Sequence, residues 1–198
     1  MMNSARKLVR IRQLITVSVV AAALTGCGIE TPLPDTARVS SPVFGSNGDS
    51  DIAAINLSSW AFARPANTRG DPADAARALA AVDYLAGELS SSPRWAGMSP
   101  LTKVEMLRAR EQVRQLLRIR GGASSQSVVD ALNDIGAAIA ANDSKSIQKS
   151  LHNKVFEESP DRITRILSNL PYLDITNIAT QHANSETNTG GDGCAVCN

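Results

Sequence analysis

Between residues 71 and 184 apolar residues recur every three or four positions and show no convincing strand alternation. A period of 3.6 turns one stripe of a helix toward a core, whereas a half-buried strand needs a period of two. The chain is therefore restricted over this stretch to helices packed on helices. The helices are also short, because start and stop signals interrupt the period repeatedly. Asp71-Pro72, Ser99-Pro100 and Ser159-Pro160 each place a capping side chain before a proline, the arrangement that opens a helix. Gly121-Gly122 is a strong stop.

These signals divide the stretch into six segments. Ala75, Leu79, Val82, Ala86 and Leu89 share one face of the first, which runs to about Ser90. Leu101, Met106, Ala109, Val113, Leu116 and Leu117 share a face of the second, which is expected to reach about Arg120. Val128, Leu132, Ile135 and Ile139 define the third. A shorter fourth opens at Asp143 and is expected to reach Asn153 or Phe156. The fifth carries Ile163, Ile166, Leu167 and Leu170 and is interrupted at Pro171. The last carries Ile175, Ile178, Ala179 and His182 and fades at Asn184. The expectation is an all-α fold, a single small bundle of five to six helices over residues 71–184. The three cap-proline starts lie 28 and 60 residues apart with unlike sequences between them, so they do not mark a repeat.

The flanks differ in composition. Residues 27–70 contain Pro32, Pro34, Pro42 and Pro65 among Ser, Asp, Asn and Gly, and read as a flexible tether. Within it Ile52, Ile55, Leu57, Trp60 and Phe62 are expected to dock on the bundle, since such side chains are unfavourable in water. The alternative is a short recognition segment for a partner. Residues 185–198 read as a disordered polar tail ending in Cys194-Ala195-Val196-Cys197.

The first 26 residues hold Arg6, Lys7, Arg10 and Arg12 and no acid, followed by an apolar run over residues 14–24. The run has 11 residues, whereas a spanning helix needs roughly 20. A basic start, a short apolar centre and small residues at the end describe a secretory signal peptide. The end of the run, Leu24-Thr25-Gly26-Cys27, resembles the lipobox of bacterial lipoproteins. That resemblance implies that the Cys27 thiol receives a diacylglycerol, that the signal peptide is cut before it, and that the new amino group is acylated. It also implies a membrane-bound, extracytoplasmic protein. Residue 28 is Gly rather than the Asp that tends to retain such proteins in the inner membrane, which favours the periplasmic face of the outer membrane. The resemblance covers about 15 residues and carries nothing about the bundle.

Cleavage before Cys27 would leave all 19 acids and 16 of the 20 Lys and Arg, a net charge near −3. That balance argues against nucleic acid as a partner. Seven aromatic residues are few for a sugar-binding cleft or a base-stacking platform. No zinc-protease, nucleophile-elbow or phosphate-loop motif is present, and no cofactor is expected. His152 and His182 read as packed or capping residues, the former near a helix end and the latter on an apolar face.

Two features carry more pointed chemistry. Cys194 and Cys197 could form a local disulfide in an oxidising compartment, remain as thiols, pair with another chain, or serve redox or metal chemistry. No helix follows them to lower a thiol pKa, and no further metal ligands lie nearby in sequence. Separately, Lys103, Arg110, Arg114 and Arg118 fall within about 80° of one another on a helical projection. Residues 103–120 hold six basic and two acidic side chains, against 10 and 17 in the rest of the mature chain. The stripe reads as a solvated face, as a contact surface for anionic lipid, lipopolysaccharide or an acidic envelope protein, or as one side of ion pairs inside the bundle. The preferred expectation is a lipid-anchored, non-enzymatic binding, scaffolding or assembly module. The alternatives are a cell-wall-acting enzyme and a redox or metal role for the tail cysteines.

Overall fold

A computed structural model describes residues 35–40, 42–45 and 48–189 of the chain. The signal segment, Leu24, Thr25, Gly26, Cys27, Cys194 and Cys197 lie outside these residues.

Seven α-helices are present among the described residues: α1 (Ser50–Ala63), α2 (Pro72–Ser91), α3 (Pro100–Leu116), α4 (Ser125–Ala140), α5 (Ser144–Leu151), α6 (Pro160–Ser168) and α7 (Asp174–Thr189). Short 3-10 turns stand at Pro65–Asn67 and Pro93–Trp95, and a single β-bridge joins Ile119 to Phe156. The all-α expectation holds. No helix among the described residues is long and apolar enough to cross a membrane.

α2 is the central helix, packed against α1, α3, α4 and α6. Its composition permits this. Ala75, Ala76, Ala78, Ala80, Ala81 and Ala86 are buried on several sides, and small side chains let neighbouring backbones approach. Gly136 of α4 is part of the same contact: a Cβ there would lie 3.1 Å from the Ala73 carbonyl oxygen. Leu79, Val82, Leu85 and Leu89 fill the remaining space with Val128, Leu132 and Ile135. α7 lies along both α1 and α3, and α5 packs on α4.

The seventh helix, α1, lies in the segment expected to be a tether. It begins at an Asp49 cap, whose side chain accepts from the amides of Asp51 and Ile52. Ala53, Ala54, Ile55, Ala61 and Phe62 are buried together with Asp51, Ser58 and Ser59, while Asn56, Trp60 and Ala63 are exposed, so polarity does not follow burial and the helix shows no readable period. Trp60, read as part of a docking patch, is 45 % exposed. The bundle therefore extends N-terminally past residue 71. Upstream of α1, Ala37 and Phe44 are buried, and Phe44 meets Tyr84 with ring centroids 5.6 Å apart.

Three boundaries also differ from expectation. α3 ends at Leu116, short of Gly121-Gly122. Arg118 adopts φ +47°, the Ile119 amide donates to Arg114 O at 2.8 Å, and that of Arg118 to Gln115 O at 3.2 Å. A helix closure that normally uses glycine is thus made with arginine. α5 stops at Leu151, where the His152 ring Nδ1 lies 2.7 Å from Gln148 O and closes the helix end. α7 continues to Thr189, into the segment read as tail. Its buried face is not the expected one. Thr176, Ala179, Thr180 and Ala183 are buried, while Ile175 and Ile178 are exposed. The threonine hydroxyls are satisfied inside, Thr180 Oγ1 donating to Thr176 O at 2.8 Å and Thr176 Oγ1 to Gln112 Oε1 at 2.9 Å.

Candidate functional site

The densest polar construction lies where the chain joins the bundle. α2 presents Asp83 between the apolar positions Leu79, Val82 and Ala86, and its side chain is fully buried. A lone carboxylate there would be prohibitively unfavourable, and α3 supplies the partner. Arg114 donates through Nε to Asp83 Oδ2 at 2.7 Å and through Nη2 to Asp83 Oδ1 at 2.9 Å. Its remaining donors reach Ala123 O at 3.0 Å, Ser125 Oγ at 3.1 Å and Asp35 Oδ2 at 3.3 Å. Burial works against the Arg114 charge, but the hydrogen bonds and charges of Asp83, then Asp35, outweigh it and hold the pKa above its ordinary value.

Asp35 completes the knot from the other side. Its carboxylate accepts from the Ser125 amide through both oxygens at 2.9 Å, satisfying the first turn of α4. Its carbonyl oxygen accepts from Arg110 Nη1 at 3.0 Å. Its backbone lies directly on α2, where a Cβ on Gly87 would sit 2.5 Å from Asp35 O and 3.0 Å from Thr36 Cα. Ala37 and Val39 turn toward the core, Thr36 and Arg38 turn outward, and the Arg38 backbone exchanges two hydrogen bonds with the Gln126 side chain.

Of the three readings of the Lys103, Arg110, Arg114 and Arg118 stripe, pairing inside the bundle holds for Arg110 and Arg114, and the four do not assemble one anionic-partner surface. Arg110 and Arg114 turn inward to Asp35, Ser125 and Asp83, with side chains 14 % and 17 % exposed. A helical projection groups residues of one helix but does not say what lies opposite, and here the opposing groups come from α2 and from a segment read as tether. Arg118 is exposed, beyond the end of α3. Lys103 is half-buried near the opposite end of that helix.

A second network ties α1 to the turn before α3. Buried Asp51 accepts from Tyr84 Oη at 2.5 Å, Trp95 Nε1 at 2.9 Å and Arg94 Nη1 at 3.2 Å. Arg94 also bonds Asp49 and lies over the Trp95 ring, 4.9 Å from its centroid. Burial, then the hydrogen bond to Asp51, pushes the Tyr84 phenol above its ordinary pKa. His182 is not packed in the core. It is 49 % exposed, with Nδ1 2.6 Å from Glu105 Oε2.

A groove of about 770 Å³ opens between Val43, Phe44, Leu57, Arg77 and Asn133. Its cation Arg77 is held by Asp74 at 2.9 Å. Among the described residues, no three His, Cys, Asp or Glu side chains group so as to hold a metal ion.

Asp35 and Asp83 are not among the residues that periodicity or motifs single out. An acid at an apolar-face position of an alanine-rich helix was a usable signal for Asp83; Asp35 had none, lying among prolines in a polar segment. No family model, curated protein or solved structure matches the chain.

Proposed function

We propose that this chain is a lipid-anchored envelope protein whose helical body is a non-enzymatic binding or assembly module. The observation that carries the reading is Leu24-Thr25-Gly26-Cys27 directly after a basic start and a short apolar run. Acyl chains on Cys27 would hold the body at a membrane, since each buried methylene contributes about 0.8 kcal/mol. Gly28 favours the outer membrane as the destination. The non-enzymatic part is supported by how the polar groups are engaged. Asp83 and Arg114 neutralise each other, and Asp51 accepts from three side chains, so these groups act as joints between elements.

Fractionation tests the reading. Cys27→Ser is expected to move the protein out of the washed membrane pellet, while the wild type stays in it with a diacylglyceryl group on Cys27 detected by mass spectrometry. A wild-type Cys27 without lipid, or a serine variant held as firmly as the wild type, overturns the anchor.

A further inference from the structure

We propose that the face where the chain enters the bundle is a docking surface for anionic phospholipid headgroups, holding the body against the bilayer to which Cys27 is anchored. The inference rests on the lipoprotein reading and adds an orientation to it. Its first support is chain length. A tether over residues 27–70 would let the body range far from the membrane. The bundle instead takes hold of the chain at Asp35, eight peptide steps after Cys27. Fully extended, eight steps span at most about 28 Å, less than the thickness of a small domain. The entry face is thus kept close to the lipid surface.

The second support is charge. Around Asp35 and the first turn of α4 the exposed cations are Arg38, Arg118, Arg120 and Lys154. Arg118 and Arg120 flank Ile119, which packs toward the core and bridges Phe156, and both are exposed on the α3–α4 connection. Lys154 lies in the adjoining turn, where Val155 O accepts from the Arg120 amide at 2.8 Å. None of the four makes an ion pair among the described residues. The exposed acids nearby are Glu157, whose amide donates to Arg118 O, and Asp130, which accepts from Gln126. Glu158 is engaged by Arg162. The face carries a positive excess on a mature chain that is negative as a whole. A basic side chain near an anionic membrane strengthens attachment by about fivefold.

The test uses the full protein purified from its own membranes, with Cys27 acylation established by mass spectrometry. It is reconstituted into vesicles of phosphatidylcholine or of phosphatidylglycerol. Amide hydrogen exchange over residues 118–124 is expected to slow by about tenfold or more in phosphatidylglycerol alone. The protection should disappear near 1 M salt, where the screening length is about 3 Å. It should also disappear in the Arg118→Gln, Arg120→Gln, Lys154→Gln variant, whose changes are all at exposed positions. Equal exchange in the two lipids with Cys27 acylated overturns the docking and leaves the anchor standing. So does protection confined to another face. An unmodified Cys27 removes both.

Discussion

Arg114 grips Asp83 across the α2–α3 interface with two parallel hydrogen bonds, Nε to Oδ2 at 2.7 Å and Nη2 to Oδ1 at 2.9 Å. The pair sits where an alanine-rich helix is surrounded by others, so its geometry sets the depth and register of α3 on α2. Removing one partner leaves the other charged and enclosed.

Asp83→Ala is therefore expected to lower unfolding stability by about 3–5 kcal/mol, the penalty for stranding a buried ion. The double variant Asp83→Leu, Arg114→Met removes both charges together and should be more stable than the single one by about 2 kcal/mol or more. It would still lack the Arg114 bonds to Asp35 and Ala123. Urea unfolding of wild type, Asp83→Leu, Arg114→Met and the double measures the coupling; strictly additive losses would mean that the pair does not act as a unit.

Gly87 is predicted to be the position at which the entering chain is most easily dislodged. Replacing it with Ala gains about 1 kcal/mol of helix propensity in α2. It also puts a methyl group 2.5 Å from Asp35 O, which is backbone and cannot rotate away. Overpacking of this kind costs about 1–3 kcal/mol, so the net effect should be a small loss of stability. The more telling readout is local: exchange at residues 35–40 should quicken while α2 and α4 stay protected. A variant more stable than wild type with unchanged exchange would show that Asp35 and Thr36 are not seated on Gly87.

Much of the bundle was legible because its helices are amphipathic and punctuated. Leu79, Val82, Val113, Leu132 and Ile135 lie in the core where periodicity puts them. What was illegible has physical reasons. α1 buries Asp51, Ser58 and Ser59 and exposes Trp60, so its polar and apolar residues do not sort into wet and dry faces. In α7 the buried face is threonine and alanine, and the isoleucines that dominate the pattern point to solvent. The α3 stop was misplaced because Arg118 takes a conformation for which glycine is the usual signal. The arginine stripe was visible as a stripe, but its opposing carboxylates come from elements 31 and 79 residues away in sequence.

The Asp49 carboxyl provides a pH dependence. Its hydrogen bond from Arg94, together with those from the first amides of α1, holds its pKa below the usual carboxylate value. The folded state then takes up this proton less readily than the unfolded state. Its contribution is complete above the unfolded value, near pH 4, and is lost as pH falls through the lower folded value. Asp49→Asn keeps a capping side chain but removes the charge, and should cost less than about 1 kcal/mol at neutral pH because the pair is partly exposed. Thermal unfolding from pH 2 to pH 7 should show wild type and variant converging on the acid side; a constant gap would exclude the ion pair as its source.

Arg118 offers a way to separate charge from conformation. Its φ of +47° places it in the left-handed region, which costs a residue with a Cβ about 1–2 kcal/mol. Glycine there has no such strain but loses more freedom on folding, offsetting about 0.5–1 kcal/mol. Arg118→Gly should therefore stabilise the protein by about 0.5–1 kcal/mol, provided the charge itself contributes little to the fold. Arg118→Gln removes the same charge without relieving the backbone and should leave stability near that of wild type. Asn142, at φ +52°, is a useful comparison, since asparagine tolerates this region and Asn142→Gly should gain less. Denaturant midpoints of the three variants give the order directly. If glycine and glutamine at position 118 had equal effects, the α3 closure would not be strained. If both were strongly destabilising, the exposed guanidinium would be part of the fold and not a charge available to a membrane.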